Sequence, residues 1–374
     1  MPNSLSEKIL RFIQTAPMAE FDDEAFNRLV VELFHHHFEK NAVYRGLCRQ
    51  QKITPGRVTS WREIPAVTTS AFKEVPLACF PTQQAAAVFH TSGTTQQRAG
   101  KHYFRTLQFY RAAMLRSFAA YCLVNIKKMR LFFLGPTFEL FPNSSLGYMF
   151  SGIRDEFGDE KSAVFFSPEK ADADGLQKTL DEASQENAPV FILGTALALL
   201  ECLEIFQRRN RKFQLPAGSR ILDTGGYKSR RVEIKRPEFQ NRLGETFGVP
   251  REYLLNEYGM TELSSQFYES RLPGIPSRQE RPTTHALRFT PYALHFPPPW
   301  VRVVAVDPEH LEILPPGEIG LLRIFDLANV DSVMAIQTED LGRAWQDRLE
   351  LIGRAAGAEL RGCSLLTETI AHAA

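Results

Sequence analysis

Between Ala85 and Leu255, short apolar runs alternate with stretches of helical periodicity, a pattern that few architectures accommodate. Ala85 to Phe89, Met129 to Leu134, Ala163 to Phe166, Pro189 to Leu193 and Arg220 to Leu222 read as strands, each leading into a helix or a turn. A run that is apolar at nearly every residue suits a strand buried on both faces. The alternation therefore predicts an α/β domain whose parallel sheet is covered by helices. Met1 to Lys73 reads as mostly helical, with Glu24 to Lys40 the clearest helix. Beyond the sheet, the proline-rich stretch Leu272 to Pro299 interrupts regular structure. Val301 to Val306, Ile319 to Phe325 and Val333 to Ile336 then predict a smaller antiparallel sheet or distorted barrel. The expected division is a helical lead and α/β core over residues 1–271 and a β-rich subdomain with a hinge-like end over 272–374, with the ligand cleft between them. At 374 residues and 44% hydrophobic, the chain has the apolar surface for such a core.

With 44 basic and 43 acidic residues the formal charge is +1, so no long-range field favours nucleic acid or an anionic membrane. Lys127-Lys128-Met129-Arg130 and Arg208-Arg209-Asn210-Arg211-Lys212 read as solvated clusters at helix ends. The five cysteines, Cys48, Cys79, Cys122, Cys202 and Cys363, show no Cys-x-x-Cys spacing, and neither a disulfide framework nor a zinc site is expected. Cys122 and Cys202 lie in apolar helical runs and read as buried thiols. Met1 to Gln14 lacks the sustained apolar core of a signal peptide, and no stretch approaches a membrane span, so a cytoplasmic location is expected. Adjacent residues on a helix point about 100° apart. The tract His35-His36-His37 thus cannot converge on one ion and reads as a partly exposed helix face.

Within His90 to His102, Ser92-Gly93-Thr94-Thr95 packs three hydroxyls around one glycine. It follows the strand at Ala85 to Phe89 and precedes a helix predicted over Leu107 to Tyr121, the place where α/β proteins grip phosphate. Backbone N–H groups and hydroxyls donate to phosphate oxygens, and Lys101 adds a cation. A Walker loop is disfavoured, because six residues separate Gly93 from Gly100 and His102 follows Lys101. By itself such a cluster is also an ordinary polar turn.

Three further segments accompany it. Asn256 to Leu263 follows the apolar stretch Glu252 to Leu255 and offers Tyr258 as a flat face for a base, Thr261 as a phosphate donor and Glu262 as a magnesium ligand. Thr338 to Arg343 brings Asp340, whose carboxylate can accept from both hydroxyls of a ribose. Leu351-Ile352-Gly353-Arg354 adds a guanidinium suited to ribose or phosphate. Taken singly, Glu262 is a helix-start carboxylate, Asp340 a turn residue and Arg354 a surface charge. Their order along the chain is what carries information.

In that order, with the glycine-rich turn Ile221-Leu222-Asp223-Thr224-Gly225-Gly226-Tyr227-Lys228 between them, the segments resemble the adenylate-forming superfamily of acyl-CoA synthetases, luciferases and nonribosomal adenylation domains. Ile64 to Lys73, Asp223 to Lys228 and Leu360-Arg361-Gly362-Cys363-Ser364 narrow the resemblance to the LuxE-type acyl-protein synthetases, the adenylating subunits of bacterial fatty acid reductase complexes. Two departures stand out: Gln96 occupies a position where much of the superfamily has glycine, and six residues separate Gly353-Arg354 from Arg361-Gly362.

The resemblance implies an ATP-dependent, magnesium-assisted activation of a carboxylic acid as its acyl-adenylate, then transfer to a cysteine near the C-terminus, here Cys363, for delivery to an acyl reductase. On this reading Ser92, Gly93, Thr94 and Thr95 cradle the β- and γ-phosphates, Thr261 meets the α-phosphate, and Glu262 holds magnesium. Lys101, or else Lys228, offsets the charge of the leaving pyrophosphate. Tyr258 and Gly259 with Gly225 and Gly226 take adenine, and Asp340 and Arg354 take the ribose. Superfamily members at full length continue into a lid domain with a catalytic lysine; twenty residues follow Arg354, so the lid is expected to be absent.

The acyl group is a fatty acid on one reading and an aromatic or secondary-metabolite carboxylate on another. A non-catalytic nucleotide- or adenylate-binding scaffold is the reading of a different class, and carboxylate-dependent pyrophosphate release separates it from the enzyme. A kinase-like reading, releasing ADP, ranks third because the Walker spacing fails. The sequence leaves open whether the chain forms a homo-oligomer.

Overall fold

A computed structural model of the chain describes residues 4–91, 99–225, 234–276 and 293–355. Its described residues fall into two units: unit 1 draws on Met1–Arg116, Met260–Gln266 and Ser277–Ala374, and unit 2 on Ser117–Gly259 and Phe267–Pro276. This division differs from the one expected at 271/272, because the helical lead groups with the late β-strands rather than with the parallel sheet.

Unit 1 begins with α1 (Leu5–Thr15), α2 (Asp23–Lys40) and α3 (Ala42–Gln50). Each starts on a side-chain cap: Ser4 accepts from the Glu7 N–H, Asp22 from that of Ala25, and Asn41 from that of Tyr44. Along α2 the helically spaced Phe26, Leu29, Val30, Leu33 and Phe34 are buried, and His37 completes the stripe. Its Nε2 lies 3.0 Å from the Val330 carbonyl oxygen, and burial lowers its pKa to about 3. The histidine tract is thus graded rather than a uniform face, with His35 exposed, His36 half-buried and His37 in the core.

β1 (Val67–Thr68) and α4 (Ala71–Glu74) lead to β2 (Ala87–His90) and β3 (Lys101–Phe104), an antiparallel pair with His90 opposite Lys101. This corrects the expected strand, loop and helix. The Ser/Thr/Gly loop connects two strands of a hairpin, and α5 (Gln108–Phe118) starts only after β3.

In unit 2, β4 (Arg130–Leu134), α6 (Ser145–Phe157), β5 (Ala163–Val164), α7 (Ala173–Gln185), β6 (Val190–Thr195), α8 (Ala196–Arg208), β7 (Arg220–Thr224), α9 (Arg236–Phe247), β8 (Leu254–Tyr258) and β9 (Phe267–Glu269) follow in chain order. The strands lie in the order β5-β4-β6-β7-β8-β9, parallel except for β9. Every residue of β4 and β7 is buried, as a sheet covered on both faces requires; β4 is apolar but for Arg130, whereas β7 also buries the polar Arg220, Asp223 and Thr224. Phe132 and Ile192 from the sheet pack in one cluster with Leu176 and Leu180 of α7, Leu199 and Leu203 of α8, and Phe239 and Leu243 of α9. Helix α9 stops at Gly248, whose φ of +67° and approach of a would-be Cβ to the Phe213 carbonyl oxygen at 2.9 Å both call for glycine. Arg130 is not a solvated cap: it is buried and reaches Glu186 at 2.9 Å.

The chain returns to unit 1 with β10 (Ala293–His295), β11 (Val301–Val306), β12 (Ile319–Asp326), β13 (Ala335–Ala344) and β14 (Leu349–Arg354). They form the order β10-β14-β13-β12-β11 with antiparallel pairing, the smaller sheet that was expected, and β1 joins β13 in parallel with Val67 opposite Ile336. Among the described residues no helix is long and apolar enough to cross a membrane. The described cysteines are free thiols, with Cys48, Cys122 and Cys202 buried.

Candidate functional site

In unit 1 the hairpin of β2 and β3 fixes the ends of the candidate phosphate loop. The Thr91 N–H donates to the Gly100 carbonyl at 3.0 Å, and the Gly100 N–H donates to Thr91 Oγ1 at 2.8 Å. Ser92, Gly93, Thr94 and Thr95 between these ends lie outside the described residues, as do Gly226, Lys228 and Cys363. Lys101 opens β3 and is exposed. Lys73 of α4 is a basic residue the motif search did not single out. A Cβ on Gly100 would meet Thr91 Cγ2 at 3.0 Å and Lys73 Cγ at 3.4 Å, so the lysine stem runs past the base of the loop.

Thr261 and Glu262 sit in a turn whose backbone is held from several sides of unit 1. The Thr261 carbonyl oxygen lies 2.8 Å from Nδ1 of His102, and the Glu262 carbonyl accepts from Asn329 Nδ2 at 2.9 Å. Just beyond, Asp326 accepts from the N–H groups of Ser264 at 3.0 Å and Ser265 at 2.9 Å and from the Ser265 hydroxyl at 2.8 Å. Trp300 Nε1 donates to that same hydroxyl at 3.0 Å. A turn fastened at so many points presents its side chains in a fixed geometry.

The Glu262 carboxyl is buried, and burial is the main reason its pKa rises to about 7. Lys73 and Arg354 pull it back down while Asp340 pushes it up, so all three act on Glu262 although they lie far from it in sequence. Asp340 and Arg354 are cross-strand partners on β13 and β14 rather than turn and hinge residues. Arg354 Nε is 3.9 Å from Asp340 Oδ1, and its Nη2 is 3.4 Å from Glu339 Oε2. A desolvated carboxylate gains most from a bound cation, and phosphate oxygens would engage the neighbouring basic residues.

Unit 2 carries the other predicted residues. Gly225 follows β7 with φ of +78° and open space where a Cβ would point. Tyr258 ends β8, half-buried, with its ring centroid 5.6 Å from that of Phe267, and Gly259 beside it is exposed. Both glycines lie at the C-terminal ends of parallel strands, the edge where open α/β sheets bind ligands. Beneath them Asn256 Nδ2 donates to Asp223 Oδ2 at 2.6 Å, and the Thr224 hydroxyl donates to Glu257. Burial raises Asp223 to about 6 and Glu257 to about 7.

The structure thus places Lys73, Glu262, Asp340 and Arg354 within electrostatic reach in unit 1, with Thr261 in the same turn as Glu262 and Lys101 on β3, and places Gly225, Tyr258 and Gly259 in unit 2. Sequence reasoning missed Lys73, His102, Asn329 and Asp326. Lys73 and His102 left a trace there, as the last residues of Ile64 to Lys73 and His90 to His102. Unit 1 also has a cavity of about 390 Å³ lined by His36, Lys40, Cys79, Arg105 and Asp331 among others, and none of the predicted residues lines it.

The model of the family described as acyl-protein synthetase, LuxE, matches residues 7–276. A long-chain-fatty-acid–luciferin-component ligase of Aliivibrio fischeri is 24% identical over 367 residues, covering 92% of this chain and 88% of that protein. The protein of the same name from Vibrio harveyi is 22% identical over 351 residues, covering 91% and 86%. Among solved structures, an open conformation of 2-hydroxyisobutyryl-CoA ligase in complex with 2-HIB-AMP and CoA aligns with a TM-score of 0.63 at 16% identity, over 92% of this chain and 77% of that one. The fold is therefore the expected α/β fold of adenylate-forming ligases.

Proposed function

The chain belongs to the LuxE acyl-protein synthetase family, and on that premise we propose that it activates a long-chain fatty acid as its acyl-adenylate and passes the acyl group to Cys363. It is an enzyme of the ligase class. The observation that carries the reading is the buried Glu262 carboxyl within the electrostatic reach of Lys73, Arg354 and Asp340. The names of the Aliivibrio and Vibrio relatives supply the substrate class.

In the first step a carboxylate oxygen of the acid attacks the α-phosphorus of ATP, and the bond to the bridging oxygen of pyrophosphate breaks. A carboxylate is a weak nucleophile facing a polyanion, so the residues act by positioning and by neutralising charge. Thr261 donates its hydroxyl to the α-phosphate, and the loop of Ser92, Gly93, Thr94 and Thr95 donates to the β- and γ-phosphates. Lys73 joins Lys101 as a cation for the leaving pyrophosphate. Asp340 accepts from the ribose hydroxyls with Arg354 beside it, while Tyr258 with Gly225, Gly226 and Gly259 keeps the adenine role drawn from the sequence.

The donor set suits magnesium: one desolvated carboxylate beside a hydroxyl is how that ion is held when substrate phosphates complete its coordination. When bound, magnesium supplies charge that the phosphate oxygens and Glu262 share. In the second step the Cys363 thiolate attacks the acyl carbon, the bond to AMP breaks, and AMP leaves with both its bonding electrons. The thioester is then delivered to an acyl reductase.

Acid-dependent exchange of labelled pyrophosphate into ATP tests the first step, with tetradecanoate compared against benzoate as the acid. Exchange with tetradecanoate is the expected result, and its absence for every acid tried would leave only nucleotide binding. Cys363→Ser should retain that exchange yet accumulate no hydroxylamine-sensitive thioester, while Cys122→Ser and Cys202→Ser acylate normally. Full acyl labelling of Cys363→Ser would move the acceptor to another thiol, to coenzyme A or to a partner.

A further inference from the structure

His102 plays no part in the reaction as described, yet it is buried and both ring nitrogens have partners in unit 1. Nδ1 lies 2.8 Å from the Thr261 carbonyl oxygen, and Nε2 lies 2.9 Å from Ser332 Oγ. A carbonyl oxygen can only accept, so Nδ1 must carry the proton. Nε2 is then the acceptor, and the Ser332 hydroxyl donates to it. The chain of bonds runs in one direction, from the Ser332 O–H to the ring and from the ring to the Thr261 carbonyl, and it selects a single tautomer.

The ring itself has little freedom. Phe104 lies against it with centroids 4.1 Å apart, and Phe72 meets it edge-on at 5.5 Å. Ser332 is fixed in turn, because its carbonyl accepts from Cys79 Sγ at 3.3 Å. Burial lowers the His102 pKa to about 4, so the ring is neutral at ordinary pH and the donor at Nδ1 keeps its identity. The bond falls at the residue preceding Glu262, whose own carbonyl is held by Asn329.

We propose that His102, oriented by Ser332, is a positioning residue that sets the Thr261–Glu262 turn for adenylation. The proposal rests on the roles given above to Thr261 and Glu262. Because β3 also carries Lys101 and closes the phosphate loop opposite β2, a single strand would link the loop to the acidic turn. A misplacement of about 1 Å is enough to cost on the order of a hundredfold in rate, which is why a backbone bond at this point matters to chemistry.

Two isosteric changes separate positioning from mere packing. The amide nitrogen of His102→Asn falls near the position of Nδ1 and can still donate to the Thr261 carbonyl, whereas that of His102→Gln falls near Nε2 and leaves the carbonyl without its donor. The experiment measures acid-dependent pyrophosphate exchange, resolved into kcat and KM for ATP, with Tm for both variants and Glu262→Gln run in parallel. The expected result is a kcat within about threefold of the parent for the Asn variant and about thirtyfold or more below it for the Gln variant. The two should have similar Tm values. Equal kcat in the two variants, or a loss that follows Tm alone, overturns the proposal while a dead Glu262→Gln leaves the functional reading standing. A Glu262→Gln enzyme with parental exchange removes that reading and the proposal with it.

Discussion

Glu257 in unit 2 and Glu262 in unit 1 are five residues apart, both buried, and burial pushes the pKa of each up to about 7. Their surroundings differ in kind. Glu257 accepts from Thr224 on the adjacent strand, and the neighbouring Asp223 accepts from Asn256, so both carboxyls bond between β7 and β8, with the charges of Arg236 and Glu269 acting on Asp223 alone. Glu262 instead feels Lys73, Arg354 and Asp340, which come from three distant stretches of the chain, while its backbone is pinned. Asp326, with a buried carboxylate filled by N–H and O–H donors, shows that unit 1 can also make a closed anchor. Burial alone therefore does not distinguish a reactive carboxyl from a structural one. The distinction lies in whether the group's partners are fixed donors or charges that a ligand can engage.

The contrast is broken most directly by Glu262→Gln. Removing a charge contact made directly to the reacting groups costs about 3 kcal/mol of transition-state stabilisation, so pyrophosphate exchange should fall on the order of a hundredfold with Tm nearly unchanged. Parental exchange with the parental magnesium dependence would place Glu262 with the structural group. The next largest effect is expected for Asp340→Ala, which should raise KM for ATP roughly tenfold with a smaller change in kcat, because a ribose contact persists through the reaction. An unchanged ATP dependence would remove Asp340 from the site.

A smaller effect sharpens the comparison through pH. In unit 2 the folded-state pKa values of Asp223 and Glu257 lie above those of the unfolded chain, near 4. Between about pH 4 and pH 7 the folded unit therefore holds protons that the unfolded chain has released, and its stability falls as pH rises through that window. In unit 1 the same trend from Asp326 and Glu262 is opposed by His37 and His102, buried neutral with pKa values of about 3 and about 4, whose stabilising effect is lost as pH falls below about 6.5. Amide exchange at β7 and β8, corrected for intrinsic rates, should show roughly 1 to 2 kcal/mol more protection at pH 5.5 than at pH 8. β3 should show a smaller difference, and Glu257→Gln should flatten the trend in unit 2. Equal slopes in the two units would contradict the assignment.

Much of the sheet in unit 2 was legible in the chain because a strand buried on both faces tends to be apolar along its length, and Arg130 to Leu134 and Val190 to Thr195 nearly are; β7 showed only Ile221 and Leu222, because its buried Arg220, Asp223 and Thr224 are polar. The β-branched runs after Pro299 likewise announced β11 and β12, whereas Val333 to Ile336 reached only the first two residues of β13. β3 escaped notice because Lys101-His102-Tyr103-Phe104 mixes charge, an imidazole and aromatic rings in four residues, too short for a period to emerge. The same shortness hid β1, whose pairing with β13 ties the helical lead to the late sheet.

For the candidate site the sequence by itself determined the chemical inventory: hydroxyls about a glycine, a Thr-Glu turn, an aspartate and an arginine in a definite order. It did so because phosphate, magnesium and ribose each demand particular side chains, and those are written locally. Only the tertiary structure decided which of them meet. Lys73 runs past Gly100 because α4 and the hairpin pack together, Asp340 faces Arg354 because β13 and β14 pair in that register, and His102 finds Thr261 across 159 residues. Such encounters depend on the packing and pairing of elements far apart in the chain, which no local period records.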